Sequence, residues 1–149
     1  MKTRIFSAIV LAFTTSVMVA QPVTNNLSSF NRISISRSAK IIIKQGNTYS
    51  ISASDEQVLN EVQYRQDGNR LLFAGNSAQE VTITTDDIKQ IDIAGSGTVA
   101  TDGLLKAGEI ELNISGNGRT NLQVDAQKLV YNVSGNCNGN ISGKPQKLN

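Results

Sequence analysis

The side chains able to do acid–base chemistry in this chain are carboxylates, because it has 12 Asp and Glu and no His. Lacking imidazole, it lacks the commonest general base and zinc ligand, which excludes His-based triads, His-Glu-x-x-His zinc sites and facial-triad iron. The carboxylates close enough in sequence to act together are Asp86-Asp87 with Asp92, and Glu109 with Glu111. Paired carboxylates are the machinery of polysaccharide cleavage, and Glu109 and Glu111, two residues apart, can share one face of a strand. No Arg or Lys recurs at a matching position, however, and both groups flank or punctuate strands, where surface charge is expected.

A second candidate is a column. Asp92, Asn113 and Asn132 recur at one position of an internal repeat, each between two apolar residues, so all three should point outward. Stacked strands would place them about 4.8 Å apart. Such a column can bind a glycan or a partner strand, or it can be a solvated face whose amides bond one another. The Gly-x-Gly corners beside it, Gly95/Gly97, Gly116/Gly118 and Gly135, read as structural turns. They are followed by Thr98-Val99 and Arg119-Thr120, not by the Asp of calcium-binding nonapeptide repeats. They also lack the Gly-Lys-Ser/Thr ending of a phosphate loop. No catalytic residue, metal ligand or cofactor motif is expected.

The elements that must carry these residues are short strands. Apolar and polar residues alternate at Ile33/Ile35, Ile41/Ile43, Tyr49/Ile51/Ala53, Leu71/Phe73, Val81/Ile83 and Ile91/Ile93, the pattern of strands with one buried face. Gly46-Asn47 and Gly68-Asn69 read as hairpin-type turns, and only Asp55–Val62 can make a helical turn. From Gly95 onward the composition shifts, with nine of the twelve glycines falling between Gly95 and Gly143. There Ile91–Gly97 is echoed by Leu112–Gly118 after 21 residues and by Tyr131–Cys137 after a further 19. Ala107–Gly116 aligns with Ala126–Gly135, and Pro145–Leu148 with Ala126–Leu129. A second apolar position recurs midway, at Leu104, at Leu122 or Val124, and at Ile141.

A period of about 20 residues is that of a β-solenoid. The expected fold is therefore all-β and β-solenoid or β-helix-like, with coils of about 20 residues in the C-terminal half and short antiparallel or irregular strands N-terminally. The repeat units fall at about 88–108, 109–127 and 128–146, within a single domain over residues 30–149. The unit opening at Pro145 leaves the last complete coil, Leu129–Ile141, with an open β edge. Open edges recruit strands, which predicts self-association or capping by a partner; the terminal Pro and Lys can alternatively blunt the edge.

Met1–Ala20 has the parts of a secretory signal: Lys2 and Arg4, an apolar stretch from Ile5 to Phe13, and small residues before Ala20. Residues 21–29 follow as a flexible polar lead-in. The chain's formal charge of +2 resides in the leader, so the remainder is balanced and gives no warrant for nucleic acid. No second apolar run suggests an integral membrane segment after cleavage. Export to the periplasm, outer surface or extracellular space is expected. The lone Cys137 cannot form an internal disulfide and is read as a small, buried side chain, with an intermolecular bridge as the alternative.

The leader, the opening Phe30–Ile35, Gln45-Gly46, Tyr49–Ala53 with Asp55-Glu56, and the repeated Ile-x-Ile-Ser-Gly-x-Gly-like units at 91–97, 112–118 and 131–137 resemble the putative autotransporter adhesin head domain, or GIN domain, of exported bacterial proteins. That resemblance covers about residues 28–149. It implies a β-helix-like domain at the cell envelope, adhesive or structural, with no catalytic residues to transfer. Cys137 departs from the pattern by standing where the other copies have their second Gly. The functional expectation is a non-catalytic binding module whose partner is a glycan, a protein surface or another copy. The alternative is a polysaccharide lyase or hydrolase on a β-helix scaffold.

Overall fold

The computed structural model describes residues 21–144 and 147–148; the expected leader lies outside them, as do Pro145 and Gln146. Among the described residues the chain is all-β apart from one short helix. In order the elements are β1 (Val23–Asn26), β2 (Arg32–Ile35), β3 (Lys40–Gln45), β4 (Ser50–Ala53), α1 (Glu56–Val62), β5 (Tyr64–Asp67), β6 (Arg70–Phe73) and β7 (Glu80–Thr85). They continue with β8 (Gln90–Ile93), β9 (Thr98–Asp102), β10 (Leu105–Ile114), β11 (Arg119–Val133), β12 (Asn138–Gly143) and β13 (Lys147–Leu148). All 13 strands join one curled sheet, in the order β1-β4-β7-β3-β9-β11-β10-β8-β2-β6-β5, with β12 and β13 beside β11.

Strand alternation decides what is buried. In β7, Val81, Ile83 and Thr85 face inward while Thr82 and Thr84 face out, and β2, β3 and β8 follow the same rule. The inward residues form rows that run across neighbouring strands. One row is Phe73, Ile35, Ile93, Ile114 and Val133; another is Leu71, Ile33, Ile91, Leu112 and Tyr131. A third joins Val81, Ile41, Val99, Thr120 and Gly139. Their burial against one another supplies the main stabilisation, since each fully buried aliphatic side chain is worth about 1.5–3 kcal/mol.

Helix α1 is too short to persist alone. Its Val58, Leu59 and Val62 are buried, and the Asp55 carboxylate caps it by accepting from the Val58 N–H at 3.0 Å. That hydrogen bond, then the one from Ser54, holds the Asp55 carboxyl below its ordinary pKa.

Four sequence expectations change here. Strands β2 and β3 are not antiparallel or irregular pieces: they pair in parallel with β8 and β9. Alternation specifies which face is buried but carries no information about the direction of the neighbouring strand. Part of the expected lead-in is strand β1, antiparallel to β4. Gly46-Asn47 does not close a hairpin, because β7 lies between β3 and β4. Gly68-Asn69 does, since Asp67 pairs with Arg70 and Gly68 takes φ +57°. Finally, the buried residue midway along the first unit is Leu105, paired with Val124, while Leu104 is exposed.

Candidate functional site

Strands β2, β8, β10 and the end of β11 lie side by side in parallel, which brings the predicted column together. Ser34 stands beside Asp92, Asp92 beside Asn113, and Asn113 beside Asn132. Asn113 Nδ2 donates to Asp92 Oδ1 at 2.9 Å, and Asn132 Nδ2 donates to Asn113 Oδ1 at 2.9 Å. Asp92 also accepts from Gln90 Nε2 at 2.9 and 3.0 Å, and Glu111 Oε1 accepts from Asn113 Nδ2 at 3.0 Å. Much of the column's hydrogen-bonding capacity is therefore spent along the sheet. A charged acceptor at its head makes these bonds stronger than neutral amide pairs.

A parallel outward row runs two residues nearer the N-terminus of each strand: Arg70, Arg32, Gln90, Glu111 and Val130. Its middle members line an open groove of about 970 Å³, together with Asn31, Asn69, Asp87, Lys89, Glu109 and Lys128. Lys128 Nζ donates to Glu109 at 2.6 Å, and Lys89 lies 3.8 Å from Asp87. Three of the predicted carboxylates, Asp87, Glu109 and Glu111, thus share one groove, while Asp86 lies outside this lining and Asp92 belongs to the column. Asp87 and Glu109 are solvated and paired with lysines, and Glu111 accepts from Asn113. A general acid needs a proton retained near neutral pH, which burial or a second carboxylate provides and a neighbouring lysine opposes.

Sequence reasoning did not single out Arg32 and Gln90 for the groove. The signal was present: a polar side chain directly precedes the inward residue at Arg32, Gln90 and Glu111, before Ile33, Ile91 and Leu112. The loop bearing Asp86-Asp87 is fixed by Gln45, whose Nε2 donates to the carbonyls of Asp86 at 2.8 Å and Lys106 at 2.9 Å. The Asp86 carboxylate, as acceptor for the phenol proton, also pushes the Tyr49 pKa up.

The corner glycines stand where the chain turns between the two halves of the sheet. A Cβ on Gly95 would come 2.5 Å from the Arg37 carbonyl oxygen, and one on Gly116 would come 2.6 Å from that of Gly95. Gly135 lies against the Gly116 backbone in the same way. A Cβ on Gly97 would instead meet the Ile35 side chain at 2.7 Å, and one on Gly118 the Ile114 and Ile93 side chains at 2.9 and 3.1 Å. Among the described residues no group of three or more Cys, Asp or Glu is arranged to hold a metal.

At the end of the inner rows, Cys137 is half-buried and its Sγ lies 3.1 Å from the Tyr131 hydroxyl. That hydrogen bond, then burial, raises the Tyr131 pKa, while the nearby Thr120 hydroxyl slightly opposes the shift. Thr120 is 4% exposed, and its Oγ1 has no partner in full hydrogen-bonding geometry, the contact with the Tyr131 hydroxyl falling short of it. A buried hydroxyl without a partner costs about 1–3 kcal/mol. Thr120→Val, which keeps the shape, is therefore expected to stabilise the fold by about 1 kcal/mol, read as a higher urea midpoint at unchanged slope. An unchanged or lower midpoint would mean that the hydroxyl is satisfied in solution.

The curled, largely parallel sheet with a polar outer face defines an all-β scaffold. Over residues 29–149 the chain matches the family described as putative auto-transporter adhesin, head GIN domain, and it belongs to that family. No curated protein matches it. Solved structures share the fold. A putative adhesin from Bacteroides fragilis is 18% identical with a TM-score of 0.64, covering 81% of this chain and 61% of that one. A protein described as a putative lipid binding protein, from Parabacteroides distasonis, is 19% identical with a TM-score of 0.58, over 86% of this chain and 59% of that one. A putative adhesin from Parabacteroides merdae is 15% identical with a TM-score of 0.51, over 86% and 75%. The chain spans about three-fifths of the length of the first two. Among the described residues no helix is long and apolar enough to cross a membrane.

Proposed function

We propose that this is an exported, non-catalytic binding module of the cell envelope, a β-solenoid that holds saccharide chains against its polar outer face. The solenoid reading is supported by register: Ile93 to Ile114 to Val133, and Thr98 to Arg119 to Asn138, each advance by 21 and then 19 residues. Repeat units near 88–108, 109–127 and 128–146 follow from it. Export rests on the leader-like Met1–Ala20 and on membership of an adhesin family.

The observation that carries the binding reading is the groove beside the Asp92–Asn113–Asn132 column. It offers guanidinium, amide and carboxylate groups at Arg32, Gln90 and Glu111 on adjacent strands about 4.8 Å apart. Hydroxyl-rich chains are recognised by such fixed planar polar groups. Among the described residues no aromatic ring lines the groove, so retention rests on hydrogen bonds and not on stacking. Screening the leader-free chain on a glycan array tests this. A bound saccharide is expected to lose at least tenfold in affinity when Arg32→Ala and Glu111→Ala are combined, with the thermal midpoint kept. Absence of any glycan signal, or a signal indifferent to both changes, would overturn the reading.

A carbohydrate-active enzyme is the second reading, favoured by one observation: Asp87, Glu109 and Glu111 share the groove. It requires new reducing ends or unsaturated products to appear from acidic or neutral polysaccharides, and to disappear in Glu111→Gln.

A further inference from the structure

We infer, building on that saccharide reading, that the chain held against the outer face is acidic and that Arg32 and Arg70 together bind its carboxylate. Strands β2 and β6 pair in parallel with Arg32 directly beside Arg70, which sets the two residues about 4.8 Å apart. Both side chains leave the outer face, since Ile33 and Leu71, the next residues, are buried.

Like charges placed directly opposite one another on neighbouring strands destabilise a sheet unless something compensates them. Among the described residues the ion pairs are Lys40–Glu80, Lys89–Asp87 and Lys128–Glu109, and none takes an arginine. The rest of the outer row does not supply the missing charge. Gln90, next to Arg32, is neutral, and Glu111 lies one strand further on and accepts from Asn113. Asp67 stands opposite Arg70 across the β5–β6 hairpin without forming an ion pair with it. Arg65, on the same strand and the same face, brings a third guanidinium. One carboxylate against three guanidiniums leaves this end of the face positive.

The two backbones are not free to draw apart. The Asn69 carbonyl accepts the N–H of Asn31 at 3.0 Å and that of Arg32 at 3.2 Å, and Asn69 Nδ2 donates to Asn31 Oδ1 at 3.0 Å. These three bonds tie the start of β2 to the start of β6 just ahead of the arginines. A bound carboxylate supplies what the pair lacks: it is planar and offers two oxygens, so each guanidinium fork finds an acceptor. Arg32 lines the groove and Arg70 extends its row past the groove's end, so one uronic acid unit of a chain lying there meets both. The groove's lysines are already committed to Asp87 and Glu109, which leaves the arginines to compensate added negative charge.

Polygalacturonate and its methyl ester differ only in the carboxylate, so calorimetric binding of the leader-free chain to each separates recognition of charge from recognition of sugar. At physiological ionic strength the acid is expected to bind about tenfold tighter than the ester, or more, and to raise the protein's thermal midpoint. Arg32→Gln and, separately, Arg70→Gln should remove most of that preference. Without ligand each should keep or raise the midpoint, because a like-charge contact has gone. An ester bound as tightly as the acid, or a preference that survives both substitutions, would overturn the inference while the saccharide reading stands. A ligand-free midpoint that falls in both variants would likewise count against it, by showing the arginines to be structural. Dextran sulfate serves as the control for general attraction to polyanions, and its binding in preference to polygalacturonate would refute the carboxylate. Binding of neither polygalacturonate nor its ester would also end the inference, and the glycan array then decides the saccharide reading separately.

Discussion

Ile114→Ala is expected to destabilise the protein by about 2–5 kcal/mol, whereas Val133→Ala, one strand further along the same inner row, is expected to cost less than about 1 kcal/mol. Ile114 lies between Ile93 and Val133, each in direct register with it, and is 2% exposed. Truncating it opens a cavity that the flanking side chains cannot fill, because each is held on its own strand by the ladder. The transfer loss and the cavity cost therefore add. Val133 has the same inward orientation but stands where the row meets solvent, so water replaces the missing methyl groups. Urea unfolding monitored by circular dichroism separates the two, with an unchanged slope showing that the native state stayed compact. Equal losses at both positions would mean that Val133 is covered in solution, and none at either would remove the stacked row as the source of stability.

Gly116→Ala should be of similar size, on the order of 3 kcal/mol or more, for a different reason. The added methyl would lie 2.6 Å from the Gly95 carbonyl oxygen. That oxygen accepts the Asn117 N–H at 3.1 Å, so neither backbone can yield without breaking the corner hydrogen bond. Gly135 sits on Gly116 in turn, and displacement would pass to the following corner. The matched control is Gly108→Ala, where nothing lies within 4 Å of the new methyl; its effect should stay within about 1 kcal/mol of zero and can be favourable in a strand. The difference in urea midpoints between the two variants is the measurement. Equal midpoints would show that close approach of the corners is not what requires glycine.

The contrast between these two glycines shows what was readable beforehand. Gly116 belonged to a repeated corner and could be singled out from the sequence, as could the outward column, because alternation fixes sidedness one residue at a time. The parallel partners of β2 and β3 could not be read that way. Ile33 and Ile91 are 58 positions apart, and nothing local in either segment states that they will lie side by side. Gly46-Asn47 misled for the same reason: turn chemistry records that the chain reverses, not that β7 will enter the gap. The groove was half legible. Glu109, Glu111 and Asp87 were visible as carboxylates, but Arg32, Lys89 and Asn69 meet them only because three separate strand connections end at one rim.

The sequence by itself determined that the chain is all-β, where its repeat lies and which face of each strand is apolar. Those properties follow from residue type and a period of two, and both act over a few neighbouring residues. The tertiary structure decided which strands are neighbours, that Thr120 is buried without a fully formed hydrogen bond, and that the inner rows reach solvent at Val133. Each of these depends on non-local pairing, in which many segments with the same alternation compete and only burial of the whole core selects among them.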